Sequence, residues 1–470
     1  MTIHSFVRDV EHLAASCRGV VRLPTDGTEY LEACSGWNVA WTQRPAVLVG
    51  ATSEGDVVHA VRYAADHDLT VAVQNTGHSV TVPADERTLL IVTGGLDRVF
   101  VDPQTQTATV GGGTTWNPVL ADAQRQGLAP LLGSAPHVGT VGYSLGGGFG
   151  WLARKHGLAV DAVRSMRVVL ADGRIVTTSP AEEPELFWAM CGTAGSGLGV
   201  VVEMTTALVP VEEVYAGNLF YPLDAAGEVF DRYLDWSGQA PAELTSAFNI
   251  TAFPALDIVP PPLQGQTFVI VRGCWAGAPG SDADAGPRQL DTWRAWKPPL
   301  MDTWTSIPFA RAAEISMDPV DPLPAASSGR WLSRLDRIVL DAMVEAVCGG
   351  EGPSPILFAE ARHAGGAIRR DNPEVSFGAR DGDRMLELVG LITDPLADAD
   401  LEHRFATVWR RLREHLAPLP GYLNFVEGHE RVQASRHAFD ADTLDRLRAA
   451  KRRFDPHDLF RHGIPLAGPG

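Results

Sequence analysis

The first part of the chain carries short apolar runs separated by turns, together with one amphipathic helical stretch. Ala46–Ala51 and Val71–Gln74 have the continuous apolar character of buried strands. Between them, Ser53 and Asp56 have the spacing of a helix N-cap, and apolar residues then recur at helical spacing. This order predicts a β-α-β unit. Further strands, a helix and a hairpin are predicted at Leu89–Val92, Val99–Asp102, Ala108–Val110, Trp116–Gln126 and Arg167–Thr178.

The pattern changes near residue 212, where glycine becomes rarer and the strand-like runs become longer. Strands are predicted at Leu219–Tyr221, Thr267–Val271, Ile356–Ala361 and Leu386–Ile392, and helices at Ala226–Trp236 and Leu401–Leu416. The chain closes with a predicted strand at Tyr422–Val426 and a helix at Asp442–Phe454. Helices grouped on one face of an antiparallel sheet fit this order, so the pattern predicts an α+β fold.

Charge and cysteine content exclude several classes of partner and site. The 470 residues include 39 basic and 57 acidic ones, a net charge of −18 that would be repelled by nucleic acid or an anionic membrane. Only Lys155, Lys297 and Lys451 are lysines, and the excess of arginine indicates a G+C-rich, bacterial genome. The five cysteines form no C-x-x-C pair, which disfavours a disulfide framework and a zinc site, so no metal is expected.

No targeting segment is evident in the sequence. Arg8, Asp9 and Glu11 interrupt the apolar character of the N-terminus, so a signal peptide is not expected. No apolar run reaches the roughly 18 residues needed to cross a bilayer. We therefore expect a cytoplasmic protein with no membrane or nucleic-acid partner; the sequence does not indicate its oligomeric state.

Glycine is the unusual component of the composition. It accounts for 47 of the 470 residues, above the average of about 7%, and 17 of them lie between Gly111 and Gly199. Two clusters dominate, at Gly139–Gly150 and Gly192–Gly199. Without side chains, the backbone N–H groups of such loops can approach an anion, and diphosphate is the common case. The alternative is that these glycines only form tight turns and close packing.

Two common phosphate-binding motifs do not fit the clusters. Neither cluster ends in the Gly-Lys-Ser/Thr of an ATP-binding P-loop. Neither has the G-x-G-x-x-G spacing of a nicotinamide-dinucleotide fold directly after a strand. A third feature is Gln74–Ser79, which follows the second strand of the β-α-β unit and contains His78.

These segments together resemble the flavoprotein family that includes vanillyl-alcohol oxidase, and within it the berberine-bridge-enzyme-like branch. The resemblance covers nearly the whole chain, through ordered matches at Trp37–Pro45, Gly77–Ser79, Leu145–Asp161, Glu185–Ala189, Tyr422–Phe425 and Phe454–Arg461. It implies a two-subdomain, PCMH-type FAD-binding domain at residues 1–211 and a substrate-binding domain at 212–417. The latter would hold an antiparallel sheet covered by helices, and residues 418–470 would return to the FAD domain.

The resemblance also implies which residues bind FAD. His78 matches the histidine that is bonded to the 8α-methyl group of the flavin in this family. The other expected cofactor-binding residues are Asn75, Thr76, Gly77, Ser79, Ala135, Val138, Gly139, Gly142, Tyr143, Gly147, Gly148, Gly199, Val200, Val201 and Asn424.

Two positions depart from the pattern or refine it. Bicovalent members carry a second, cysteinyl link where this chain has Ala135, so any covalent bond here would involve His78 alone. Val138 matches the position that controls oxygen access in the family, and valine there resembles the oxidases. We therefore expect oxygen as the electron acceptor, with hydrogen peroxide as product.

The proton acceptor is expected in the substrate domain or on the last strand. Tyr422 and Asn424 would point the same way on a strand, and Tyr422 would need a cationic neighbour to act as a base. Glu360 and Glu374 are the carboxylate candidates; the alternative for Glu360 is an ion pair with Arg362. The histidine often found before Arg380 in the family is absent.

The function expected from the resemblance is that of an FAD-linked oxidase acting on a small alcohol, amine or sugar-like compound, in bacterial secondary metabolism. In such an enzyme a substrate carbon delivers hydride to flavin N5. The alternatives are a dehydrogenase that uses another acceptor, and a flavin-binding protein without turnover.

Overall fold

The computed structural model describes residues 3–466, apart from 196, 258, 279, 281, 283, 350–353 and 394. Within these residues the strands form three sheets. The first sheet has the order β1-β2-β4-β3; β2, β4 and β3 run parallel and β1 is antiparallel. Its strands are β1 (Val20–Arg22), β2 (Val47–Gly50), β3 (Thr70–Gln74) and β4 (Thr88–Val92). A helix at Glu54–Asp66 connects β2 to β3, as the pattern predicts.

The second sheet is antiparallel and has the order β5-β6-β10-β8-β9, with β7 paired to β10. Its strands are β5 (Val99–Asp102), β6 (Thr107–Gly111), β7 (Ala129–Pro130), β8 (Val163–Val169), β9 (Ile175–Thr178) and β10 (Val200–Val209). The predicted hairpin is the β8–β9 pair. We call the part of the chain built on these two sheets the first domain.

The third sheet is larger and antiparallel, with the order β14-β11-β13-β12-β17-β18-β16-β19 and β15 paired to β11. Its strands are β11 (Glu213–Pro222), β12 (Leu244–Ala252), β13 (Thr267–Trp275), β14 (Met301–Asp302), β15 (Thr305–Pro308), β16 (Ala325–Leu332), β17 (Ile356–His363), β18 (Arg384–Leu391) and β19 (Leu416–Val426). We call it the large sheet.

Helices occupy both parts of the chain. In the first domain they are α1 (Ile3–Ser16), α2 (Thr28–Cys34), α3 (Glu54–Asp66), α4 (Trp116–Gln124), α5 (Thr140–Leu145), α6 (Ala153–His156), α7 (Ala159–Ala162) and α8 (Pro184–Met190). The remainder are α9 (Ala226–Gly238), α10 (Ala285–Trp296), α11 (Ala313–Ser316), α12 (Arg337–Cys348), α13 (Pro395–Arg411), α14 (Gly428–Ala434) and α15 (Ala441–Phe454). Among the described residues, none of these helices is long and apolar enough to cross a membrane.

The two faces of the large sheet bury different surfaces. On one face, apolar side chains such as Phe248 and Leu388 pack with Phe230, Met343 and Phe405 of α9, α12 and α13. On the other face, side chains that include Trp331 and Met385 join the core of the first domain. Alternation along each strand allows one sheet to serve both cores. Helices on one face of an antiparallel sheet confirm the predicted α+β class.

The end of α13 differs from the sequence prediction. The helix predicted to reach Leu416 ends at Arg411, and the chain then enters β19, which begins at Leu416. Leu412 is fully buried, and the buried His415 ring lies 2.8 Å from Asp336 Oδ2, so tertiary contacts end the helix early. Because β19 pairs with β16, residues up to Val426 lie in the large sheet, although Tyr422 and Leu423 also pack in the core of the first domain. The segment beyond Val426 then returns to the first domain.

A buried lysine fixes that returning segment. Lys451 Nζ on α15 lies 2.5 Å from Asp455 Oδ2 and donates to the carbonyl oxygens of Gly197 (2.8 Å) and Phe460 (2.9 Å). Asp455 also accepts the backbone N–H groups of Leu459 and Phe460. The C-terminal segment is thereby joined to the second glycine cluster.

We predict that Lys451→Met destabilises the protein by about 3–5 kcal/mol, because it leaves the Asp455 carboxylate buried without its cation. Lys297→Met is the control, since Lys297 forms an exposed ion pair with Glu228 and should cost at most about 1 kcal/mol. Denaturant unfolding of both variants measures the difference. Equal losses of stability would contradict a special role for Lys451.

Candidate functional site

A cavity of about 1020 Å³ lies between the first domain and the inner face of the large sheet. Its volume is at the upper end of the roughly 300–1,000 Å³ typical of small-molecule sites. One wall consists of the loop Gln74–Ser79, the segment Gly133–Tyr143 and part of the second glycine cluster. Strands β12, β13, β17 and β18 form the opposite wall.

The Gln74–Ser79 loop is held against the segment that precedes Trp37. Gly77 has φ +69°, and a Cβ atom there would lie 2.5 Å from Gly36 Cα, so a side chain would block this approach. The backbone N–H of Trp37 donates to Thr76 O at 2.7 Å. The loop therefore has a fixed shape at the cavity wall.

His78 projects from this loop with one free ring nitrogen. Its ring stacks on Trp37 with centroids 4.5 Å apart, and its Nδ1 lies 2.8 Å from Thr76 Oγ1. Nε2 is buried and has no hydrogen-bond partner within the described chain. Burial, with a contribution from His137, lowers the pKa of His78 to about 3. His78 is therefore neutral at physiological pH and presents an unpartnered nitrogen.

The first glycine cluster divides into two parts with different roles. Gly139 and Gly142 line the cavity. Gly147 and Gly148 do not: Cβ atoms there would lie 2.8 Å from the Phe377 ring and 2.5 Å from Ala159 Cβ. The close-packing alternative thus holds for the second part, and Gly147 and Gly148, which we expected at the cofactor, do not line the cavity.

The second glycine cluster stays at the cavity wall. Gly195, Gly197 and Gly199 line the cavity together with Val201. Val200, which we also expected at the cofactor, does not line the cavity and is 1% exposed within the core of the first sheet. Its side chain points away because neighbouring residues on a strand face opposite sides.

The large sheet presents a row of polar side chains to the cavity. Strand register places Asn249 opposite Glu360, and Glu360 opposite Glu387. Arg362 lies two residues further along β17 and therefore on the same face. All four line the cavity, as does Arg272 on β13. Of the residues in this row, only Glu360 was identified from the sequence as a candidate site residue.

Glu360 is held by both of its oxygens. Oε1 accepts from Arg362 Nε at 3.0 Å and Nη2 at 2.7 Å. Oε2 accepts from Asn249 Nδ2 at 3.2 Å and lies 3.3 Å from Arg272 Nη1. Burial alone would raise the pKa of Glu360, but the charges of Arg362 and Arg272 outweigh it and hold the pKa below its usual range. The ion-pair alternative for Glu360 therefore describes the structure.

The other catalytic candidates occupy three different environments. Asn424 lines the cavity and donates from Nδ2 to Tyr143 O at 2.8 Å. Tyr422 is fully buried behind Gly147 and does not line the cavity; burial raises the pKa of its phenol, which stays protonated. Glu374 is exposed in a loop outside the cavity. The structure brings Asn424 and Glu360 to the site but not Glu374.

Sequence reasoning missed Asn249, Arg272, Glu387 and Glu427, all of which line the cavity. Glu387 had a visible signal, because it is the one charged residue within the predicted strand Leu386–Ile392. The signals for Asn249 and Arg272 were weaker. Asn249 lies on β12, which was not predicted, and Arg272 lies just beyond the predicted strand Thr267–Val271. Their common face follows from strand register, which the sequence does not specify.

Comparison with known proteins identifies the family. A model described as an FAD binding domain matches residues 45–179. The chain is 32% identical to (R)-6-hydroxynicotine oxidase of Paenarthrobacter nicotinovorans, over 97% of this chain and 98% of that protein. It is 36% identical over 46% of its length to FAD-linked oxidoreductase pgmH of Aspergillus terreus, a match that spans 44% of that relative.

The fold also matches that of a solved structure. Berberine bridge enzyme from Eschscholzia californica superimposes with a TM-score of 0.80 at 19% identity, covering 98% of this chain and 100% of that one. The chain belongs to the family of FAD-linked oxidoreductases that includes (R)-6-hydroxynicotine oxidase. The resemblance drawn from the sequence is thereby confirmed, and the protein is an FAD-dependent oxidoreductase.

The cavity of this FAD-dependent oxidoreductase fits FAD. It has room for a dinucleotide beside a small molecule, and the cavity-lining glycines of both clusters keep that wall free of side chains. His78 lines this space, and its buried Nε2 has no hydrogen-bond partner among the described residues. Asn75, Thr76, Ser79, Ala135, Val138 and Tyr143 also line this space.

In this oxidoreductase we predict that Gly146→Ala displaces Asn424, because a Cβ atom at Gly146 would lie 1.8 Å from Asn424 Oδ1. We expect a loss of about 1–3 kcal/mol in stability and a lower ratio of bound flavin to protein. Gly94→Ala is the control, since Gly94 is exposed and a Cβ there meets nothing within 4 Å. Visible absorbance and thermal unfolding measure both effects; flavin content equal to that of the control would contradict the prediction.

Proposed function

We propose that this protein is an FAD-linked oxidase that oxidises a carbon bearing a hydroxyl or amino group in a small alcohol, amine or sugar-like substrate. FAD, when bound, supplies the two-electron acceptor for that oxidation. The observation that carries the proposal is the arrangement of the cavity. The unpartnered nitrogen of His78 lies on its first-domain side, and a row of polar groups lies on the large sheet across from it.

We propose a single covalent link to FAD, through His78. The low pKa keeps the imidazole neutral, so a lone pair is available for bonding. The contact between Nδ1 and Thr76 leaves Nε2 without a partner in the described structure. Ala135 also lines the cavity and carries no group that could form a second link. A covalent link would prevent loss of the cofactor.

The substrate side of the cavity favours a small organic molecule. Leu256, Met317 and Val320 are about half exposed or more, and all three line the cavity. They would contact an apolar part of a ligand, while the polar row on the large sheet would bind its reacting end. We place the reaction in bacterial secondary metabolism; the arginine-rich composition supports the bacterial source.

Oxygen is the proposed acceptor, with hydrogen peroxide as product. Val138 is partly buried and lines the cavity, as a residue that controls access to the flavin must. Its position is stabilised through the backbone, because its carbonyl accepts the N–H of Trp116 at 3.1 Å. Valine at this position is the feature that favours an oxidase over a dehydrogenase.

We predict that the wild-type protein stays yellow after acid precipitation, whereas His78→Ala releases its flavin into the supernatant. The physical reason is that acid unfolding disrupts every noncovalent contact but leaves a carbon–nitrogen bond intact. His437→Ala, at an exposed histidine outside the cavity, should behave as wild type. Release of flavin from the wild type would refute the covalent link.

We predict that the photoreduced wild-type protein is reoxidised rapidly by dissolved oxygen with formation of peroxide. Val138→Leu should slow reoxidation, because the longer side chain narrows the cavity beside residue 138. The same substitution should leave anaerobic reduction of the flavin by substrate nearly unchanged. Stopped-flow absorbance measures both rates. Slow reoxidation of the wild type would exclude the oxidase and favour a dehydrogenase with another acceptor.

A further inference from the structure

Two carboxyl groups lie directly opposite each other on the cavity wall. Glu360 on β17 and Glu387 on β18 are register partners, and both line the cavity. Cβ atoms of such partners lie about 4.5–5.5 Å apart, a distance at which two like charges destabilise each other. The register partner of Glu387 on β16 is Gly329, which places no side chain beside it. The two carboxyl groups can have different roles in the site only if their surroundings differ.

Both carboxylate oxygens of Glu360 are used in structural contacts. Its oxygens accept from Arg362 and Asn249 and face Arg272, so no oxygen is left without a partner. Arg362 in turn donates to Phe149 O at 2.8 Å across the domain boundary. A proton placed on Glu360 would weaken these buried contacts, which makes Glu360 a poor acceptor.

Glu387 differs from Glu360 in each of these respects. Its carboxyl group forms no hydrogen bond or ion pair with the rest of the described chain, and the residue lines the cavity. The groups that face it are Arg362 and Glu360 on β17, Asp318 before β16, Tyr422 on β19 and Glu427 just after β19. Burial raises the pKa of Glu387 well above its ordinary value; Arg362 opposes this, and the neighbouring carboxylates add to it.

We propose that Glu387, and not Glu360, takes the proton from the substrate, and that Glu360 is a positioning residue. The inference rests on the proposed function, since it requires a substrate that carries an O–H or N–H group beside the reacting carbon. The carbon–hydrogen bond breaks and its electron pair leaves as hydride to FAD. The O–H or N–H bond breaks as a C=O or C=N bond forms, and its proton goes to a carboxylate oxygen of Glu387.

The sign of the pH dependence follows from this assignment. Below its raised pKa, Glu387 is protonated and cannot accept a proton; above that pKa it is a carboxylate and a stronger base than an ordinary glutamate. Anaerobic reduction of the flavin should therefore accelerate as the pH rises through the pKa of Glu387. Glu360 is already ionised, so it contributes no such rise of the reduction rate with pH.

The first experiment compares Glu387→Gln, Glu387→Asp and Glu360→Gln with wild type in anaerobic stopped flow. The substrate is whichever compound in an alcohol, amine and sugar panel reduces the wild-type flavin fastest. Glu387→Gln should lower the reduction rate by about 10²- to 10⁴-fold and abolish its rise with pH, and Glu387→Asp should restore part of both. Glu360→Gln should retain the rise with pH but lower the thermal stability.

The second experiment needs no substrate. Sulfite is an anion that adds to oxidised flavin and bleaches its visible absorbance. An ionised Glu387 would oppose it, so as the pH rises through the pKa of Glu387 the wild type should lose about tenfold more sulfite affinity than Glu387→Gln. Glu86→Gln, at an exposed glutamate outside the cavity, should match wild type and controls for the loss of one charge.

The outcomes separate this inference from the proposed function. If no panel compound reduces the wild-type flavin, the proposed function fails, and the sulfite titration alone decides whether Glu387 ionises beside the flavin. An equal loss of sulfite affinity with rising pH in wild type and Glu387→Gln would then overturn the assignment. If the wild type is reduced and Glu387→Gln retains its rate and pH profile, the assignment to Glu387 is wrong and the oxidase proposal stands.

Discussion

The ion pair between Glu360 and Arg362 lies at the junction of the two domains, and the cavity depends on it. Arg362 donates to its partner on the large sheet and to Phe149 O of the first domain. Its guanidinium also lies 5.1 Å from the Trp151 ring and 5.6 Å from that of Phe425. Desolvating two charges is unfavourable unless every donor and acceptor is matched, and removal of one partner typically costs about 3–5 kcal/mol. The matched pair therefore fixes the inner face of the large sheet relative to the first domain.

Fixing that face gives the cavity two chemically different sides. The first-domain side presents backbone, glycines and a neutral histidine, a surface suited to a large and partly anionic cofactor. The large-sheet side presents carboxyl and guanidinium groups, which suit a small polar reactant. The same strands pack against α9, α12 and α13 on their other face, so the polar row is supported by a rigid apolar core. A site built on strands in this way can hold its side chains within narrow limits.

Much of the fold was predictable from the sequence, and the site only in part. The β-α-β unit and the β8–β9 hairpin have local signals that tertiary contacts do not override. Strand β16 (Ala325–Leu332) was missed because its small and polar residues lack apolar alternation, yet it lies between β18 and β19. His78 was found through the sequence around it. Glu387 was not, because its importance comes from lying opposite Glu360, and register between strands distant in sequence has no local signature.

The glycines show how one residue type serves two physical needs within the same cluster. Gly139 and Gly142 line the cavity, where the absence of a side chain leaves room for a ligand. Gly146 and Gly147 instead admit Asn424 and the rings of Phe377 and Tyr422 from the far end of the chain. A loop that only binds a ligand would not require glycine at positions 146 and 147. Asn424 of β19 packs against Gly146 and lines the cavity, so close packing at these glycines helps to place it beside the cofactor space. The packing and binding explanations for the cluster are therefore two parts of one requirement.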